Sequence, residues 1–479
     1  MNFRAVFAIQ GTLLIFIGLS MLLPLGFSFF YGDQDVVPIL ISAGITIGVG
    51  ALLRLLFRFK GELTLKDSFA TVSFGWILAA FFGAFPFFIS GHIPSFTNAF
   101  FESMSGFTTT GATILAKAEL LPHGLLFWRS LTHWLGGMGI IVLSLAILPL
   151  MGVGGMQLYR AEIPGPMPDK LTPRIQETAK SLWGVYALLS LIEAGLLMAG
   201  GLNLFDSLCH TFATMATGGF STKTASIAHF RSAYVDTVVI VFMILAGTNF
   251  SLHFHSLRGR VSAYWKSEEF KFYFGTILFF SLLMTAINTP KVFPSAVESF
   301  RHSAFQVVSI TTTTGFTTFD FGKWPAAGQL VLFFLMFFGG SAGSTGGSIK
   351  IMRIMVLLKQ GKAELKRLIH PRAVIPVRVD GRPVPPAIVI NILSFVLVYI
   401  GIFFFASLVM SLLGFDLVSA CASVAATLGN VGPGLGSVGP AANYFHVPLI
   451  GKWLLAFCML VGRLEIHTLL ILFTRGFWR

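Results

Sequence analysis

Apolar runs recur along the chain, each long enough for the ~20 residues a helix needs to cross a bilayer. Their pattern predicts helical spans at 5–30 and 37–57, then 67–90, 122–150, 176–200, 232–257, 270–290, 326–358, 386–413 and 446–474. Setting the first two aside leaves eight spans in four pairs. Between the members of each pair lies a semi-apolar stretch, at 96–107, 205–216, 294–310 and 415–426, too short to cross. The first, second and fourth open near Asn or Asp, acceptable N-caps, and the third begins with Pro-Ser. Each is expected to enter the membrane as a helix and turn back.

Every short stretch runs into a glycine among small residues: "TTTGAT" (108–113), "ATGGFST" (216–222), "TTTTGFTT" (311–318) and "LGNVGPG" (428–434). Gly111, Gly219, Gly315 and Gly432 superpose most easily, at spacings near one hundred residues. Such a recurrence marks an internal repeat. The unit is span, short helix, glycine motif, span. This divides the chain into two extra N-terminal helices (1–60) and repeats at 61–155, 156–262, 263–372 and 373–479.

Composition supports the same class. Hydrophobic residues make up 55% and charged residues 11%, against roughly 25% charged in soluble domains, and mean hydropathy is +0.80. The fold class is an all-α polytopic membrane protein, four span–short-helix–span repeats around a pseudo-fourfold pore plus two N-terminal helices. The net charge of +13 lies in clusters: Arg54 to Lys66, Arg160 to Lys180, Arg258 to Lys271 and, most densely, Arg353 to Arg382. Loops of this kind stay cytoplasmic and attract anionic membrane lipid at about 1 kcal/mol per charge. No basic module with interleaved aromatics appears, so nucleic acid is not a partner. Cys209, Cys421 and Cys458 sit in apolar context and imply no disulfide framework. The N-terminal apolar run exceeds a signal-peptide core and is read as a retained span.

No basic cluster falls between the members of a pair, so all four motifs share the face opposite the basic side. Re-entrant backbone at membrane depth is tolerated only where protein shields it or a water-filled cavity borders it. One such motif reads as a surface turn. Four in register read as a ring of loops whose carbonyls and hydroxyls replace the water around an ion. Glycine admits the left-handed backbone this needs, and each short helix aims a partial negative charge at the ring. The motifs contain no Asp or Glu, so coordination rests on neutral dipoles, which points to potassium. The candidate ion-binding residues are Thr109, Thr110, Gly111 and Ala112; Thr217, Gly218, Gly219 and Phe220; Thr313, Thr314, Gly315 and Phe316; and Asn430, Val431, Gly432 and Pro433.

The segments "SMSGFTTTGAT", "ATGGFST", "SITTTTGFTT" and "ATLGNVGPGLGSVGP" resemble the four selectivity-filter segments of the Trk/Ktr/HKT superfamily of potassium uptake proteins. The two extra spans are similar to its bacterial TrkH branch, TrkG and TrkI included. "WRSLTHWLGGMGIIVL" (128–143) and "LVGRLEIHTLLILF" (460–473) extend the match over essentially the whole chain. The fourth motif departs from the threonine-rich pattern, an asymmetry that also resembles the family. Serine at the first glycine position goes with sodium in this family; Gly111 favours potassium. The resemblance implies a multi-pass protein of the bacterial inner membrane and a homodimer with one pore per subunit. It also implies a ring of cytosolic, nucleotide-binding, TrkA-like regulatory subunits docked on 151–180, 258–271 and 359–382. The chain itself binds no nucleotide by this reading. Gly434, Gly436 and Gly439 fit G-x-G-x-x-G but lack the βαβ context, and no Walker A sequence occurs.

The second span of the third repeat carries five glycines and three serines within 339–348. Ten weak helix formers in a row should break the helix, where packing through small residues would need only one or two positions. Gly339, Gly340, Gly343, Ser344, Gly346 and Gly347 are therefore a candidate gate, as the resemblance also implies. Arg463, inside the last span, is costly unless it faces water or a partner. It reads as a cationic barrier to potassium, with pairing to Glu465 as the structural alternative. His133, His210 and His302 are read as structural. The expected function is channel-like potassium entry. The rival, proton- or sodium-coupled symport, would want paired intramembrane acids, for which Glu102, Glu193 and Glu298 are scattered candidates. No nucleophile–base or metal-ligand cluster argues for an enzyme.

Overall fold

The computed structural model describes residues 1–59, 63–139 and 175–478. The predicted span 122–150 beyond Gly139, Lys60, and the basic segment 151–174 with Arg160, Lys170 and Arg174 lie outside the described residues. Among those described, six helices are long and apolar enough to cross a membrane, and eight if each of two bent pairs counts as one span. Among the described residues the fold is all-α apart from one two-stranded hairpin.

The first two spans, Phe3–Tyr31 and Val36–Leu56, cross at close range, because Gly11 and Gly50 leave each backbone against the other's carbonyl. They are fastened to repeat 1. Gln10 donates to the Thr71 carbonyl at 2.7 Å, and the Leu125 amide donates to Asp35 at 3.0 Å. One apolar cluster accordingly joins these helices to repeats 1 and 4 through Trp76, Phe101, Trp128 and Leu455.

The four short helices are Phe96–Phe107, Leu204–Met215, Ala296–Thr311 and Leu417–Leu428. Asn203 and Asp416 cap the second and fourth by accepting the Asp206 and Ser419 amides at 2.7 and 3.1 Å. The first helix differs from expectation: Ser95 stands at its cap, and Asn98 lies inside it, accepting from Lys452 at 2.8 Å.

Two spans predicted as continuous are bent. The pair Ala233–Ala246 and Phe250–Leu257 turns by 101°, and Leu449–Arg463 and His467–Phe473 by 112°. In the first, Asn249 restarts the helix by accepting the Ser251 amide at 2.8 Å. In the second, Glu465 and Ile466 take φ of +52° and +61°. The third-repeat span breaks where its glycines predict, between Ala326–Leu335 and Ile351–Ile369.

On the basic side, Ile351–Ile369 leads to a hairpin in which Arg378–Val379 pairs antiparallel with Arg382–Pro383. Its turn, Asp380-Gly381, has positive φ at both residues, as a tight hairpin requires. Lys359 binds Glu268 and the Arg378 carbonyl, and Asp380 accepts the Glu268 amide at 2.7 Å. The hairpin is thus docked on the start of the third repeat.

Candidate ion pathway

Each short helix ends in the same way. The amides of Thr109, Thr217, Thr313 and Asn430 donate to Gly106, Thr214, Ile310 and Thr427 at 2.9–3.2 Å. The next amides, of Thr110, Gly218, Thr314 and Val431, reach back to Ser105, Ala213, Ser309 and Ala426 at 2.8–2.9 Å. This pair of bonds is a Schellman cap. Its left-handed residue is normally Gly or Asn, yet three of the four are threonine, with φ of +54°, +54° and +61°. A β-branched residue held there costs about 1–2 kcal/mol. Two residues on, Gly111, Gly219, Gly315 and Gly432 are left-handed as well, at +79°, +76°, +80° and +98°.

The four loops close into a ring. A Cβ on Gly111 would strike the carbonyl oxygen of Gly218, and one on Gly219 that of Thr314. One on Gly315 would strike that of Val431, and one on Gly432 that of Thr110, which returns to the first repeat. In every case a motif glycine abuts the carbonyl preceding the next repeat's glycine. All four glycines also border one cavity of about 140 Å³, together with Ala112 and Pro433. Phe220 and Phe316, by contrast, turn their rings into packing. Phe220 stacks on His133 at 4.0 Å between centroids and lies 3.4 Å under the Arg129 guanidinium, and Phe316 lies 6.0 Å from His210. Only their backbone remains for the ring.

The broken segment after Leu335 lies against the left-handed residues. The Gly347 amide donates to the Thr313 hydroxyl at 2.7 Å, and the Thr345 hydroxyl donates to the Met215 and Ala246 carbonyls, each at 3.1 Å. Ser341 donates its amide to the Gly247 carbonyl at 2.8 Å, at the bend of the second repeat. Gly343 is left-handed and its carbonyl takes the Phe250 amide at 3.1 Å. Gly339 bonds across to Ile349, Gly340 accepts from Ile351, and Lys350 holds the Ser344 and Gly346 carbonyls. Arg463 reaches the same place. It donates to the Thr345 carbonyl at 2.8 Å, the Thr109 hydroxyl at 3.2 Å, and the Gly136 and Gly137 carbonyls at 2.5 and 3.0 Å. Glu465 is paired with Arg353 instead.

A family model described as TrkH, cation transport protein, matches residues 38–477. The chain is 44% identical to the Trk system potassium uptake proteins TrkH of Halomonas elongata and of Escherichia coli, over 100% of each chain. It superposes on the crystal structure of the potassium transporter TrkH from Vibrio parahaemolyticus with a TM-score of 0.90, at 40% identity and full coverage of both chains. This chain belongs to the TrkH family. The resemblance read from four short motifs therefore holds over the whole chain. As a TrkH-family member it is a cation transport protein and no enzyme, a multi-pass protein of the bacterial inner membrane.

Sequence reasoning missed several groups around the TrkH-family ring. The strained threonines were legible as residues but not as a conformation. Glu102, set down as a stray acid, is buried with Arg129 at 2.6 Å. Its partner stands 27 positions on, and no helical spacing connects them. Of the other two stray acids, Glu193 is fully buried and Glu298 opens the third short helix. Asn430 crosses from the fourth loop to the first by donating to the Thr110 hydroxyl at 2.9 Å.

Proposed function

We propose that this chain takes up potassium through the ring of four loops, coordinating the dehydrated ion with backbone carbonyls and threonine hydroxyls of residues 109–112, 217–220, 313–316 and 430–433. The observation that carries this reading is the cyclic contact of Gly111, Gly219, Gly315 and Gly432 with the carbonyls of neighbouring repeats. Such a ring presents uncharged oxygens at close quarters, which suits a large monovalent cation. The relatives' names, Trk system potassium uptake protein, support the same ion. Residues 339–348 and Arg463 form the closed gate, a loop and a cation set across the path on the ring's left-handed side. The four repeats run over 61–155, 156–262, 263–372 and 373–479, with their basic linkers in the cytoplasm.

Opening requires a ligand with unequal affinity for the two gate states. The name of the Trk system supports a partner of the TrkA-like, nucleotide-binding kind on the basic face, where Lys362, Lys366 and Arg367 are carried by the helix that leaves the gate. The working unit is a homodimer with one pore in each subunit, and this chain binds no nucleotide itself. Reconstitution in liposomes tests the central reading. The reversal potential should follow the potassium gradient and ignore imposed proton or sodium gradients; movement with either would replace the channel by a symporter.

A further inference from the structure

One position on each short helix, nine residues before the motif glycine, is polar and buried: Glu102, His210, Gln306 and Ser423. In the first repeat the Thr113 hydroxyl donates to both Glu102 oxygens at 2.9 and 3.1 Å, and the Ile114 amide donates at 2.9 Å. Thr113 is the second residue past its glycine. In the second repeat the equivalent residue is Ser221, and its hydroxyl lies 2.8 Å from His210 Nε2. His210 Nδ1 faces the Asp206 carbonyl at 2.7 Å. A carbonyl only accepts, so Nδ1 carries the hydrogen and, in the neutral ring, Nε2 accepts from Ser221. Both hydroxyls accept an amide two residues further on, Leu115 and Lys223, each at 3.0 Å. The same construction appears twice with unrelated residue types.

The third repeat uses a longer contact. Gln306 accepts the Thr318 amide at 3.3 Å and donates to the Phe316 carbonyl at 3.5 Å. The fourth repeat has lost it, since Ser423 only donates to Ala420 in its own helix at 2.9 Å. There Tyr444, itself buried, donates its hydroxyl to the Gly432 carbonyl at 2.8 Å, while its amide donates to the Thr113 carbonyl at 2.8 Å.

We propose that Glu102, His210, Gln306 and, in place of Ser423, Tyr444 are the positioning residues of the ring, each fixing the limb of backbone that leaves its glycine. The proposal rests on the ring being the potassium filter. A ring of loops selects by the spacing of its oxygens. The Schellman caps hold only the incoming limbs, and these four side chains hold the outgoing ones. They act through the backbone and touch no ion.

The test measures the potassium-to-sodium permeability ratio of the full-length protein in liposomes, beside its melting temperature. Tyr444→Phe removes one oxygen and His210→Ala one ring. Each should lower the ratio about two- to tenfold, the worth of a single hydrogen bond. His210→Gln places in the second repeat what the third carries, and should recover most of the ratio lost in His210→Ala. A purely structural role would lower the melting temperature and leave the ratio alone, and that result overturns the proposal. Should His210→Ala not fold, Tyr444→Phe decides by itself. Gly111→Ser serves as the reference. If it lowers the ratio while Tyr444→Phe and His210→Ala do not, the bracing fails and the filter stands; if it too leaves the ratio unchanged, the filter reading falls and the bracing with it.

Discussion

The ring and the broken segment beside it are both rich in glycine, and they are held differently. The incoming limb of each ring loop is fixed by bonds to its own short helix, within six residues of chain, and few bonds, such as Asn430 to the Thr110 hydroxyl, cross between loops. The segment 339–348 is fixed chiefly by bonds to other repeats, Met215, Ala246 and Gly247 of the second and Arg463 of the fourth, and within its own repeat by Thr313. Local bonds survive when domains or helices shift, because both partners travel together. Bonds that reach across repeats are lost when the repeats move apart. The ring therefore has less to lose than the neighbouring segment when repeats move, which is what the proposed filter and gate respectively demand.

The sharpest way to break this contrast is one substitution made in both places. Gly219→Ala puts a Cβ at φ +76° against the Thr314 carbonyl. The conformation alone costs about 1–2 kcal/mol, and the clash adds to it. Potassium flux should fall by about tenfold or more. Gly346→Ala meets its nearest atoms at 3.1 Å or beyond and needs no left-handed backbone, so a shift of a few tenths of an ångström accommodates it. Flux assays on both proteins at equal reconstitution decide the matter. Equal losses would mean that the two segments are held alike.

Arg463→Gln should have the next largest effect, in the opposite sense. It removes a charge and most of the bonds that tie Thr345 to Thr109 and Gly136. Charged hydrogen bonds contribute about 1.5–3 kcal/mol each, so partner-free flux should rise about tenfold with the potassium-to-sodium ratio unchanged. A fall in the ratio instead would assign Arg463 to the ring. Thr345→Val is milder. It keeps the shape and removes the hydroxyl that reaches Met215 and Ala246. Losing bonds worth about 0.5–1.5 kcal/mol each should raise resting flux roughly two- to tenfold. Unchanged resting flux would show that these bonds do not hold the segment shut.

The same contrast explains what the sequence discloses. Gly111, Gly219, Gly315 and Gly432 were legible because the requirement is local: a left-handed backbone after a helix end. The break at 339–348 was legible because its residues cannot sustain a helix on their own. The bends at 247–249 and 464–466 were not. Gly462, Leu464 and Ile466 are ordinary in membrane helices, and just before the bend Gly462 lies against the Leu428 carbonyl of another helix. Likewise the carbonyls of Ala246 and Gly247 are taken by the third repeat. Glu465 was the nearest acid to Arg463 in sequence, yet it serves Arg353, 112 positions away. Contacts between repeats carry no periodicity that a single chain displays.

Acid gives the smallest and most selective probe of the comparison. Glu119 lies beyond the ring in the first repeat and binds the second by accepting the Thr224 amide at 2.7 Å and the Thr224 hydroxyl. Burial pushes its carboxyl up, but the bonds from the Thr224 hydroxyl and amide outweigh that and hold it below the usual carboxylate range. A carboxyl lowered on folding stabilises the fold above its unfolded value and withdraws that stability as pH falls through the folded value. Glu119's contribution to the melting temperature should therefore be present and constant with pH near neutrality and begin to fall below the ordinary glutamate value of about 4.3. Glu119→Gln should remove that part of the decline. Thr224 is mostly exposed and the tie is screened by water, so the change is small. It acts on the rim of the ring and touches none of the bonds that hold 339–348. Resting flux should thus be the same in Glu119→Gln and the parent across this pH range; divergence of the two would connect the outer rim to the gate and end the separation argued above.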